Sequence, residues 1–186
     1  MGATYLSLQL RTTDRDAVVA ELRSIATANT GTGLQFYVAE PREGWLAVFP
    51  NFTPDLERAA KALSARLDCL ILLLLSADED DLYCMFFRSG KQLPWFKVGV
   101  GRTRRGRERD KLAAKLEALA EVCDAESRAR LAVILADARD VTFSSDLLRA
   151  LCDIVNIRNA FTSFDYLARG EREGLDPPGE PEFVSA

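Results

Sequence analysis

The run Tyr5-Leu6-Ser7-Leu8-Gln9-Leu10 alternates apolar and polar residues over a short stretch, the period of a strand with one buried face. Thr13-Asp14-Arg15-Asp16 follows, a capping hydroxyl with an acid three positions on, which is the chemistry that satisfies orphan amides at a helix start. Val18, Leu22 and Ile25 then recur at helical spacing, and Asn29-Thr30-Gly31-Thr32-Gly33 ends the pattern. Residues 34–39 and 45–49 flank Glu40-Pro41-Arg42-Glu43-Gly44, whose proline and glycine suit a tight hairpin. Thr53-Pro54-Asp55 opens a second helix with the stripe Leu56, Ala60, Leu63 and Leu67. Residues 69–75 are apolar at every position, so they predict a strand covered on both sides. Asp78-Glu79-Asp80-Asp81 turns the chain, and residues 82–87 and 93–98 predict two further antiparallel strands.

The order strand, helix, strand, strand, helix, strand predicts an α+β fold with a ferredoxin-like βαββαβ core, extended by two antiparallel strands. A helical segment follows. Its stripes are Leu112, Leu116, Leu119 and Cys123, then Leu131, Ile134 and Leu135, then Leu147, Leu148, Leu151, Cys152 and Val155. A short last helix carries Phe161, Phe164 and Leu167, with Gly170 placed to end it. The expected organisation is a sheet domain over residues 1–100, a basic loop over 101–110, helices packed on or beside the sheet over 111–170, and a mobile tail over 171–186.

Composition narrows the chemistry. The 186 residues contain no histidine, which removes Ser-His-Asp and Cys-His catalysis and every imidazole zinc site. The four cysteines, Cys69, Cys84, Cys123 and Cys152, are far apart and lie in apolar surroundings, so they read as buried free thiols. No stretch predicts a signal peptide, a lipid anchor or a membrane span, and a cytoplasmic protein is expected. A net charge of −4 gives no global reason to expect a polyanionic partner.

Local charge says something else. Residues 88–111 hold nine Lys or Arg against two acids. Val98-Gly99-Val100-Gly101-Arg102-Thr103-Arg104-Arg105-Gly106-Arg107 lies between a predicted strand and a predicted helix, the context in which glycine loops bind phosphate. Arg107 and Glu108 stand where a nucleotide-binding P-loop needs Lys and Ser or Thr, so that motif fails. Arg102, Arg104, Arg105 and Arg107 remain as candidate phosphate contacts, with Trp95 as a stacking face; the plainer account is a solvated linker. The acidic turn 78–81 reads as a polar cap on a greasy hairpin rather than a metal site, because neighbouring side chains in a turn diverge. Ser64 follows Lys61 by three residues, the reverse of the S-x-x-K order used by Ser-Lys hydrolases.

Gly44-Trp45 in a hairpin, Leu63-Ser64 in a helix, the acidic turn 78–81, Tyr83 and Gly90 together resemble a bacterial α+β family of uncharacterised function. The resemblance covers residues 3–100 and implies a fold, with no reaction, ligand or cofactor to carry over. The function expected from all this is a non-enzymatic module without metal or cofactor, docking a protein partner through a bare sheet face, a sheet edge or the C-terminal helices. The alternative is phosphate, nucleotide or nucleic-acid binding by the arginine-rich loop.

Overall fold

The computed structural model describes residues 3–28, 33–176 and 180–185. Its elements are β1 (Tyr5–Leu10), α1 (Arg15–Ala28), β2 (Phe36–Val38), β3 (Leu46–Pro50), α2 (Leu56–Arg66), β4 (Ile71–Ala77), β5 (Asp81–Arg88), β6 (Lys91–Gln92) and β7 (Phe96–Gly99). These are followed by α3 (Arg107–Lys115), a 3₁₀ turn over Leu116–Leu119, α4 (Ala125–Ala136), α5 (Ser144–Val155), α6 (Phe164–Ala168) and β8 (Glu182–Val184). The strands form one eight-stranded antiparallel sheet in the order β6-β5-β4-β1-β3-β2-β8, with β7 also on β5.

Alternation along the central strands sorts the chain into layers. Ile71 and Leu73 of β4 join Leu6, Leu8 and Leu10 of β1 on one face, where α1 supplies Val18, Leu22 and Ile25 and α2 supplies Ala60 and Leu63. Leu72 and Leu74 point to the other face with Leu82, Cys84 and Phe86 of β5, and Leu112, Leu135, Leu148 and Leu151 close over them. The C-terminal helices therefore roof the second face. A bare sheet face for docking, expected from two N-terminal helices alone, is filled by the protein's own α3–α5. Phe86 and Phe87 of β5, adjacent and therefore on opposite faces, fall in the two different layers.

Trp45 joins hairpin, sheet and helical roof. Glu43 and Gly44 both have positive φ in the β2–β3 turn, which sets the indole inward, and its Nε1 donates to the Val155 carbonyl at the end of α5, 2.9 Å away. Beside it the second face is polar at β1: Gln9 Nε2 donates to Ser7 Oγ and to the Asn159 carbonyl, and Asn159 Oδ1 accepts from the Asp176 amide. A smaller cluster of Ala47, Phe49, Leu167 and Leu175 covers the rest of that face.

Three expectations change. The strand expected over residues 93–98 begins only at Phe96, as β7, because Pro94 cannot donate to a ladder; ahead of the proline a further short strand, β6, pairs with β5. The tail expected to be mobile over 171–186 carries β8, which pairs with β2 and is tied to α1 by Glu182, ion-paired to Arg15 at 3.0 Å and Arg23 at 2.7 Å. Residues 177–179 and 186 of that tail lie outside the described residues. The cap of α1 is Asp14, whose Oδ1 accepts the Ala17 amide, rather than Thr13. Among the described residues no helix is long and apolar enough to cross a membrane.

Replacing Trp45 by Phe removes the indole donor and leaves the Val155 carbonyl without it. Urea unfolding of Trp45→Phe is expected to show a loss of about 1–3 kcal/mol. An unchanged midpoint and slope would show that this bond does not hold the roof to the sheet.

Candidate functional site

After β7 the chain must climb from the sheet edge to the helical layer, and it does so as a strap rather than a loose loop. The Gly101 amide donates to the Ala138 carbonyl at 2.8 Å, the Ala138 amide to the Arg102 carbonyl at 3.0 Å, and the Arg104 amide to the Ala136 carbonyl at 2.7 Å. Thr103 and Asp137 face each other in this short antiparallel bridge, with Thr103 Oγ1 donating to Asp137 Oδ1. The basic segment is thus held by its backbone, which leaves its side chains available. Gly106 then takes φ +50 and ψ −128, a conformation closed to L side chains, and turns the strap into α3 without supplying a side-chain cap.

The turn opens a groove of about 320 Å³ between the start of α3 and the end of α4, lined by Arg104, Arg105, Arg109 and Arg139 with one acid, Asp137, and by Thr103 and Val133. Arg105 and Arg109 are exposed and make no side-chain hydrogen bond or ion pair with the described residues. Arg104 is half-buried and donates from Nη2 to the Lys97 carbonyl, which fixes it at the groove wall. Arg139 lies on Asp137 at 3.0 Å, and this bond and charge hold the Asp137 carboxyl below the ordinary range. Val133, 58% exposed, gives the groove an apolar floor.

Of the five residues singled out in the sequence, only Arg104 and Arg105 line this groove. Arg107 is the first residue of α3 and Arg102 lies back over Gly99, where an added Cβ would stand 3.3 Å from its Nε and 3.1 Å from Asp81 Oδ1. Trp95 is 43% exposed and sits near Lys115, whose Nζ is 5.9 Å from the ring centroid at the far end of α3. Two groove residues were missed. Arg109 is one helical turn beyond Arg105, a spacing that the pattern does contain. Arg139 arrives only through the bridge to residues 101–104, for which no local signal exists.

Other candidates resolve into structure. The turn 78–81 spreads its acids: Asp81 binds Lys97 at 2.7 Å, while Asp78 and Glu79 take positive φ. Among the described residues no group of three or more Asp, Glu or Cys could hold a metal ion. Ser64 Oγ donates to the Lys61 carbonyl and accepts from the Gly90 amide, so it ties α2 to the β5–β6 turn and makes no contact with the Lys61 ammonium. A larger recess of about 470 Å³ at the sheet end is lined by Phe52, Phe164, Tyr166, Asp78, Asp165 and Arg169, but its two acids outnumber its one arginine, which is already bound to Glu171. The chain matches no family model, no curated protein and no solved structure.

All four cysteines are free. Burial pushes the Cys69 thiol up to about 11 and raises Cys84, Cys123 and Cys152 as well. At pH 8 only about one Cys69 in a thousand is thiolate, the reactive form. A disulfide reagent such as DTNB is expected to label the native protein slowly at pH 8, faster as pH rises toward 11, and to release four equivalents once the chain is denatured. Rapid native labelling would contradict this burial.

Proposed function

We propose that the protein is a non-enzymatic binding module whose ligand carries phosphate, held in the groove formed by Arg104, Arg105, Arg109 and Arg139. One observation carries this reading: four guanidinium groups line one recess, and two of them have no partner among the described residues although the chain's net charge is −4. Clustered like charges that form no internal ion pairs are unfavourable by themselves, and a bound oxyanion relieves them. Guanidinium groups suit phosphate because their N–H donors form forked, charge-assisted pairs with its oxygens. The amide end of α3, without a side-chain cap, adds partial positive charge at the same mouth.

The same reading takes the β4-β1-β3-β2 order, with α1 and α2 on one face, as support for a ferredoxin-like core inside the larger sheet. Four free thiols support a reducing, cytoplasmic setting. A protein-docking role has one specific observation in its favour, the 79% exposure of Phe52 beside the recess at the sheet end. It ranks second because the sheet face first assigned to docking is buried under α3–α5.

The test is affinity for inorganic tripolyphosphate, measured by calorimetry across a salt series. Arg105→Ser/Arg109→Ser is expected to lower affinity at least tenfold and to flatten the salt dependence, with thermal stability kept because neither side chain packs in the core. Absent binding by the parent protein, or binding indifferent to salt and to the double change, would overturn the proposal.

A further inference from the structure

The groove leaves unused a second set of cations that begins at its mouth. Arg107, Lys111 and Lys115 are four residues apart on α3, so they lie along one helix face. Arg107 and Lys111 are exposed and Lys115 is partly so. The line ends at Trp95, with Lys115 Nζ 5.9 Å from the indole centroid. Trp95 sits between β6 and β7, both paired to β5, and the Leu93 amide donates to the Phe86 carbonyl at 2.8 Å; the ring is therefore presented from a fixed backbone.

Glu108 shows that groove and line form one electrostatic surface. Its carboxylate accepts from Lys111 at 2.8 Å, and that bond, followed by the charges of Lys111, Arg104 and Lys115, holds it below the usual glutamate range. Arg104 belongs to the groove and Lys115 to the Trp95 end, so Glu108, which shares the first turns of α3 with Asp110, feels both.

Resting on the groove's affinity for phosphate, we infer that the strap, α3 and Trp95 form a track for single-stranded nucleic acid. Phosphates lie on the groove arginines and on Arg107, Lys111 and Lys115, and an unpaired base stacks on Trp95. The length fits: the rise from Arg107 to Lys115 is about 12 Å, comparable to three or four stacked nucleotides at roughly 3.4 Å each. The 43% exposure of an indole at the end of a cation line is what a base requires and a bare phosphate does not. A duplex keeps its base faces stacked internally, so only an unpaired base reaches a ring set beside a helix. Within the track Glu108 acts as an internal competitor for Lys111.

The experiment compares three probes on the intact chain: a (dT)12 oligonucleotide, a 12-base-pair duplex and inorganic tripolyphosphate. Binding of (dT)12 is expected to quench tryptophan emission, because Trp95 is exposed while Trp45 is buried. Trp95→Ala should weaken (dT)12 by about five- to a hundredfold, Trp95→Phe by less, and neither should change tripolyphosphate affinity. Glu108→Gln should tighten (dT)12 severalfold. If tripolyphosphate binds but (dT)12 is no tighter, or is indifferent to Trp95→Ala, or the duplex binds as well as the single strand, the track is wrong and the groove proposal stands. If neither tripolyphosphate nor (dT)12 binds, both fall.

Discussion

Strand β4 has no polar side to give to water. Ile71, Leu72, Leu73 and Leu74 are all buried, and in a strand consecutive residues point to opposite faces, so both faces must be covered. Each such side chain gains roughly 1.5–3 kcal/mol on burial, which makes a one-sided sheet untenable here. The first cover, α1 and α2, arises from the crossovers that join the strands. The second has to come from the chain after β7, and it must reach the opposite face from the sheet edge. That requirement places the strap at residues 101–104 and the start of α3 where they are. The groove is a consequence of closing the core.

Holding the strap through main-chain bonds to residues 136–138 has an electrostatic effect. Had side chains anchored it, Arg105 and Arg109 would be spent on internal carboxylates, as Arg128 is on Glu117 and Arg66 is on Glu21. Surface pairs of that kind stabilise a fold by at most about 1 kcal/mol. Leaving arginines unpaired therefore costs the fold little and keeps a concentrated positive field. Arg139, paired with Asp137, and Arg104 are the exceptions; the bond from Arg104 to the Lys97 carbonyl ties the groove wall to β7.

Periodicity made most of the sheet and helices readable. The two-sided run of β4, the hairpin turn at Gly44 and the α5 stripe of Leu147, Leu148, Leu151, Cys152 and Val155 each follow from local spacing. What escaped depended on partners far along the chain. Nothing near Glu182-Phe183-Val184 announces a strand, because its mate is β2 and its anchors Arg15 and Arg23 belong to α1. The apolar run 93–98 suggests a strand from its first residue, yet Pro94 delays pairing until Phe96, and β6 at Lys91–Gln92 has too little apolar character to announce itself. The site divides the same way. Charge density points to Arg104 and Arg105 but not to Arg139, and it places Trp95 with arginines from which the length of α3 separates it.

That separation bears on how an acidic chain handles a polyanion. With a net charge of −4, most of the surface repels phosphate, and at physiological salt the repulsion fades over a Debye length of about 8 Å. The groove and the α3 face together extend beyond that distance, so on the proposed reading an anion lying on them is screened from the more distant acids and responds mainly to the local surplus. A uniformly basic protein would attract any polyanion in any orientation. On the proposed reading, a basic track on an acidic body admits one that follows the track, and Glu108, bonded to Lys111 within it, tempers how strongly. Removing the acids outside the track should therefore matter less than removing this one.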